Sequence, residues 1–304
     1  MRALLIGAVE GTRVAAQAIA DTPGWTLAAI GTLPPDLASR HSDFVDLAPV
    51  AAQGGAELIP VAACNAPDFL DQVRAIAPDI VFVIGWSQIC GPDFRAAAGG
   101  RVVGYHPAPL PRLRGRAVIP WTILLDEKIT ASSLFWIDEG VDSGPLLAQH
   151  YFHVAPDETA ATLYAKHMAA LDAMLRDLLP RLLQGDVPVK VQDEKLATYA
   201  TRRRPDDGRI DWRQPAEAIE RLVRAVGRPY PGAFTGVGED RITIWSARAC
   251  ACADRQHASP GQVIMRDEQG FAVCCGDGRA LHVTEFDSAR ERKPALHSML
   301  GGQA

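Results

Sequence analysis

Hydrophobic and polar positions alternate along the first half of the chain on two different periods. Apolar runs at residues 2–7, 25–31 and 58–61 read as strands, whereas 11–20 and Pro67–Ile76 carry the spacing of helices. In the second of these helices Phe69, Leu70 and Val73 fall on one face. Residues 80–84 form an unbroken Ile-Val-Phe-Val-Ile run, the pattern of a strand covered on both faces. Such alternation predicts an α/β domain: a Rossmann-like parallel sheet with helices on both sides. Sheets of this kind bind ligands at the carboxyl ends of their strands. Gly85-Trp86-Ser87 and Gly104-Tyr105-His106 both fall at such ends, and a further strand is expected over 132–137.

A long helix is expected over 157–184, where Leu163, Met168, Leu171, Met174, Leu175, Leu178 and Leu182 form an apolar stripe. Pro180 is expected to bend its last turn or to start a new one. Residues 189–207, rich in Lys, Arg, Asp and Pro, read as a linker. A short helix over 215–226 precedes a Pro/Gly cluster at 228–232. Strand-like pieces then follow at 242–245, 263–265, Phe271–Cys274 and 280–284. Short strands between Gly-rich turns predict a small β-barrel. The last residues, 289–304, read as loose. The resulting division is 1–188, a linker at 189–207, and 208–304.

Composition changes this picture little. The 304 residues are 48% hydrophobic and 22% charged, as in a soluble protein of one large or two ordinary domains. No run reaches the ~18 apolar residues a membrane span requires. The opening run is too short for a signal peptide, so a cytoplasmic setting without membrane attachment is expected. A net charge of -5 argues against a broad nucleic-acid surface. The six cysteines, at 64, 90, 250, 252, 274 and 275, lack paired C-x-x-C spacing. They read as reduced thiols, and no metal site is expected from them.

The candidate chemistry lies in two runs. His106 sits inside Gly-Tyr-His-Pro-Ala-Pro-Leu-Pro-Arg-Leu-Arg-Gly-Arg, residues 104–116, where prolines hold it at a strand end. Asp142 sits in Asp-Glu-Gly-Val-Asp-Ser-Gly, residues 138–144, after the strand at 132–137. A histidine and a carboxylate at neighbouring strand ends suit general acid–base work on a carbonyl. Taken alone, His106 could cap a strand and Asp142 could shape a turn. Arg112, Arg114 and Arg116 have two readings, a solvated charge run or a site for anionic substrate groups, since guanidinium matches phosphate and carboxylate. The first βα turn, Gly-Ala-Val-Glu-Gly at 7–11, lacks G-x-G-x-x-G, which removes the main support for a nicotinamide enzyme.

Together these runs resemble the formyltransferase superfamily, in methionyl-tRNA formyltransferase-like form, which moves a formyl group from 10-formyltetrahydrofolate to an amine. The resemblance extends over nearly the whole chain, through 201–208, Ile210-Asp211-Trp212, 229–234 and 242–245. It implies an OB-like C-terminal domain and no metal. It assigns catalysis to His106 and Asp142. Trp86, Ser87, Gln88 and Cys90 would lie along one edge of the pterin, mainly through backbone groups, with Asp138 and Val141 along the other. Gly104, Arg112, Arg114 and Arg116 would face the acceptor. The family carries Asn two residues before the His, so Gly104 is a departure that removes an oxyanion donor. Arg114-Gly115-Arg116-Ala117 with Trp121 is closer to the amino-sugar branch than to the tRNA branch, and hydroxyornithine and peptide-synthetase formyltransferases are also similar. A primary amine or hydroxylamine of a small molecule is therefore the expected acceptor, with methionyl-tRNA as the alternative. A non-catalytic folate-binding module is the reading from a different class, and the intact His106 and Asp142 argue against it. Homodimerisation stays open.

Overall fold

Ala3, Leu4, Leu5 and Ile6 have no solvent exposure, because both faces of their sheet are covered. The computed structural model describes residues 1–238, 240–251 and 256–301. The elements up to the long helix are β1 (Arg2–Ile6), α1 (Glu10–Asp21), β2 (Thr26–Thr32), α2 (Ala48–Gly54), β3 (Glu57–Pro60), α3 (Pro67–Ile76), β4 (Ile80–Val83), α4 (Pro92–Ala97), β5 (Val102–His106), β6 (Arg114–Gly115), α5 (Val118–Leu124), β7 (Ile129–Trp136), β8 (Leu146–His153) and α6 (Ala160–Leu183). After it come β9 (Tyr199–Ala200), α7 (Ala216–Val226), β10 (Ala233–Val237), β11 (Asp240–Cys250), β12 (Val263–Arg266), β13 (Phe271–Cys274) and β14 (Ala280–Ser288). The chain divides into two compact units. The first comprises Met1–Val118, Ile129–His153 and Tyr164–Thr201; the second comprises Ile119–Lys128, Val154–Leu163 and the chain from Arg202 onward.

The first unit is a seven-stranded sheet in the order β3-β2-β1-β4-β5-β7-β8. Side chains alternate across it. Leu5, Phe82, Val103 and Leu134 join Ala15 and Ile19 of α1 and Leu171, Leu175 and Leu178 of α6 in one core. Leu4, Ile6, Val81 and Val102 join Phe69 and Val73 of α3 and Phe94 of α4 in another. The sheet is mixed, not parallel throughout: β3, β2, β1, β4 and β5 run parallel, β7 runs antiparallel to β5, and β8 runs antiparallel to β7. The return from β5 to β7 enters the sheet beside the end of β5, and this pairs Gly104 with Phe135 and His106 with Ser133.

Helix α6 runs from Ala160 to Leu183 with Pro180 inside it, so no new helix starts there. One other expectation changes in this unit. The segment read as a linker is structured: β9 pairs in parallel with β6, and Gln192 is only 6% exposed.

The second unit holds an antiparallel sheet in the order β10-β11-β14-β13-β12. Strands β11 and β14 extend beyond the residues their apolar patterns suggested. The tail is not loose up to residue 301. Leu300 is buried, its amide donates to the Gly261 carbonyl, and the Val263 amide donates to Ser298. Cys64, Cys90, Cys274 and Cys275 are free thiols, whereas Cys250 is disulfide-bonded, contrary to the expectation of reduced thiols throughout. Cys252 and residues 302–304 lie outside the described residues. Among the described residues no helix is long and apolar enough to cross a membrane, and no group of three or more His, Cys, Asp or Glu could hold a metal ion.

Candidate active site

His106 ends β5, with its ring 7% exposed and acceptors on two sides. Nε2 lies 2.7 Å from the Leu113 carbonyl. A carbonyl only accepts, so Nε2 carries the hydrogen, and in the neutral ring the lone pair is at Nδ1. Nδ1 faces Asp142 Oδ2 at 3.7 Å. That separation exceeds a hydrogen bond, so both atoms keep a direction for a third group.

Asp142 lies in the turn between β7 and β8, at φ +52°. This left-handed region is costly for most side chains and least so for Gly, Asn and Asp. Asp138 shapes the turn, its Oδ1 accepting from the Gly140 amide at 3.0 Å and the Ser143 hydroxyl at 2.8 Å. The Gly115 amide donates to Asp142 Oδ2 at 2.8 Å. Gly115 itself has φ +103°, and a Cβ there would lie 2.5 Å from the Ala200 carbonyl oxygen, so only glycine fits. The proline-rich loop after His106 is clamped through its carbonyls. Ser133 donates to Ala108 at 2.7 Å and Gln149 to Leu110 at 2.9 Å.

Gly104 is buried and points to the same face of β5 as His106. A Cβ on it would lie 2.8 Å from Phe135 Cζ and 3.0 Å from Ile137 Cγ1. Phe135, Ile137, Leu110 and Leu146 form an apolar cluster there. Apolar protein side chains surround the position where the resemblance implies Asn.

The loop after β4 is tied down by its own side chains. Gln88 accepts from the Cys64 amide at 3.0 Å and donates to the Ala62 carbonyl at 2.8 Å. Ser87 meets His41 at 3.3 Å. Cys90 is buried against Cys64; the hydrogen bond between them holds the Cys64 thiol down at about 7 and, with burial, pushes Cys90 far above the ordinary range. Trp86 is half-buried; its N–H lowers Cys64 slightly without making a hydrogen bond of ordinary geometry. With Gln88 and Cys90 engaged by protein, the loop offers a ligand its backbone and Ile89, which is 72% exposed. Val141 in the Asp142 turn is likewise exposed.

The three arginines separate. Arg114, expected to meet an anionic substrate, is 1% exposed. It makes a two-pronged ion pair with Glu194 at 2.6 and 2.9 Å and donates to Gln192 at 2.9 Å. Arg112 and Arg116 are exposed. The Arg116 charge reaches His41, whose imidazole is lowered mainly by burial and further by that charge. The sequence reading missed Gln192, His41 and the main-chain groups of Leu113 and Gly115. The signal available for the last two was their place in the Arg-Leu-Arg-Gly run.

Comparison with known proteins bears on this geometry. Residues 39–178 match the family described as formyl transferase, and residues 203–303 match the formyl transferase C-terminal domain. The fold is shared with WlaRD, a sugar 3N-formyl transferase solved in the presence of dTDP and 5-N-formyl-THF. The two are 16% identical over 96% of this chain and 99% of that one, with a TM-score of 0.68. It is also shared with HypX from Aquifex aeolicus, solved with tetrahydrofolic acid (16% identity, 94% of this chain, 44% of that one, TM-score 0.66). Methionyl-tRNA formyltransferase from Clostridium thermocellum shares it too (20% identity, 82% and 93%, TM-score 0.58).

Proposed function

We propose that this chain, which belongs to the formyltransferase superfamily, moves a formyl group from 10-formyltetrahydrofolate to the amine or hydroxylamine of a small molecule. The observation that carries the reading is the pair of His106 Nδ1 and Asp142 Oδ2, facing each other 3.7 Å apart with Nε2 committed to Leu113. Bound 10-formyltetrahydrofolate supplies an N-formyl carbon open to attack by an amine. Its pterin is held by the backbone of residues 85–90, by Ile89 and by the turn at 138–142. His106 accepts the amine proton at Nδ1 as general base. The imidazolium so formed is stabilised by Asp142; its Nδ1–H donates a hydrogen bond to the oxygen that gathers charge and then gives the proton to N10 as the bond from the formyl carbon to N10 breaks, releasing tetrahydrofolate. Arg112 and Arg116 bind an anionic part of the acceptor, which favours a nucleotide-linked amino sugar over a simple amine. The five-stranded sheet of the second unit is read as an OB-like accessory domain.

The test is incubation with 10-formyltetrahydrofolate and a panel of acceptors: nucleotide-linked amino sugars, an N-hydroxyornithine-type hydroxylamine and methionyl-tRNA. Tetrahydrofolate release is followed. Release with a small amine is the expected result. Release with methionyl-tRNA alone would replace the acceptor, and folate binding without release would make the chain a binding module.

A further inference from the structure

Three consecutive residues, Leu113, Arg114 and Gly115, connect the two halves of the His106–Asp142 pair. The Leu113 carbonyl takes the hydrogen of His106 Nε2, and the Gly115 amide donates to Asp142 Oδ2 at 2.8 Å. Between them Arg114 donates to Gln192 Oε1, through Nη2 at 2.9 Å and Nε at 3.3 Å. The other end of the Gln192 amide returns to the turn: Nε2 donates to the Asp142 carbonyl at 2.8 Å and the Gly144 carbonyl at 2.7 Å. The links close a ring. Starting at the Asp142 carboxylate, it runs through Gly115, the peptide to Arg114, the guanidinium and Gln192, and ends on the Asp142 carbonyl.

We propose that Gln192 is a positioning residue for formyl transfer, holding Asp142 from its backbone side while Gly115 holds it from its carboxylate side. The inference rests on the formyl-transfer reading above. Asp142 occupies a left-handed backbone conformation. Such a conformation persists only where the surroundings over-determine it. Gln192 suits the task because its amide has two donors for two carbonyls and an acceptor for the arginine. A carboxylate at this position would keep the arginine and lose both donors. Gln192 is 6% exposed, and Arg114 is anchored in turn by Glu194, so little freedom is left in the chain of contacts. Gln192 touches neither reacting group, and its effect passes through Asp142.

Gln192→Glu separates this role from a purely structural one, since it keeps the Arg114 contact and removes the two donors to the turn. Gln192→Met removes both. The expected result is a kcat lowered about tenfold or more in each variant, with KM for folate and acceptor within about threefold of wild type. In an Asp142→Asn background the same substitutions are expected to cost less than about twofold further, since residues acting as one unit are non-additive. A smaller loss in both single variants, or an undiminished loss in the Asp142→Asn background, overturns the proposal. Should Gln192→Met fail to fold, Gln192→Glu alone decides it. If the wild type transfers formyl to no acceptor, the proposed function falls. The positioning claim is then read from the nitrogen resonances of the His106 imidazole in wild type and Gln192→Glu. A change supports it and identical resonances overturn it.

Discussion

Phe135 Cζ stands 2.8 Å from where a Cβ on Gly104 would lie, and the two residues are paired across the β5–β7 ladder. The glycine and the ring are therefore complementary: an aromatic edge fills the volume beside His106 that a longer side chain at 104 would take. Gly104→Asn must displace a buried ring, and overpacking of this kind costs roughly 1–3 kcal/mol. The variant is expected to unfold several degrees below wild type by calorimetry, with no gain in turnover. A rise of about tenfold, worth ~1.4 kcal/mol of transition-state stabilisation, would show that the ring yields and that the site lacked only a donor.

The arginines divide into one that is buried and two that are exposed. Arg114→Met leaves Gln192 Oε1 without its donors in a buried setting, an unsatisfied group that costs about 1–3 kcal/mol. Its denaturation midpoint is expected to fall. Arg112→Ala and Arg116→Ala are expected to raise KM for an anionic acceptor. An unchanged acceptor KM in both would remove the anion-binding role.

Much of this was legible in the sequence, and the failures have physical causes. The run at 80–84 and the Phe69, Leu70, Val73 face read correctly because burial on two faces and on one stripe leave different periodicities. His106 and Asp142 were visible as special residues at strand ends, and the structure places them opposite each other. Segment 189–207 misled because its pattern is inverted. Val189 and Val191 are 59% and 78% exposed, while the polar Gln192 between β8 and β9 is buried. Hydropathy cannot identify a glutamine whose burial is offset by four hydrogen bonds to groups distant in sequence. The antiparallel direction of β7 was equally hidden, since strand direction depends on how a connection returns and not on the strand's own residues.

The Cys64–Cys90 pair gives stability a dependence on pH whose sign can be worked out. The ordinary thiol value is ~8.5. In the folded protein Cys64 is held at about 7 by the Cys90 thiol, and Cys90 stays protonated far above the ordinary range. Between about 7 and ~8.5 the unfolded chain holds two thiol protons and the folded chain one, so stability rises with pH. Above ~8.5 the unfolded chain loses both while Cys90 retains its own, and stability falls. In urea titrations the stability of wild type relative to Cys64→Ala should rise between about 7 and ~8.5 and level off above it, because burial keeps Cys90 raised in both proteins. A difference between the two proteins that does not vary with pH would contradict the assignment.

Asp142→Asn separates charge from geometry at the site. Asparagine tolerates the left-handed backbone at 142 as readily as aspartate does, and its side-chain oxygen can still accept from the Gly115 amide. The fold and the turn should therefore survive, with an unchanged thermal midpoint and folate affinity, read with 5-formyltetrahydrofolate by calorimetry, within a few-fold. What is lost is the negative charge facing Nδ1, which in the proposed mechanism stabilises the imidazolium formed when the amine gives up its proton. Turnover should fall by more than about tenfold, a barrier increase above ~1.4 kcal/mol. His106→Ala removes the proposed proton acceptor itself and should be at least as damaging. The two substitutions combined should cost little more than His106→Ala alone, because the carboxylate acts through the ring. If Asp142→Asn kept more than about a tenth of the wild-type rate, or if the losses simply multiplied, the carboxylate would have to act on the acceptor independently of His106.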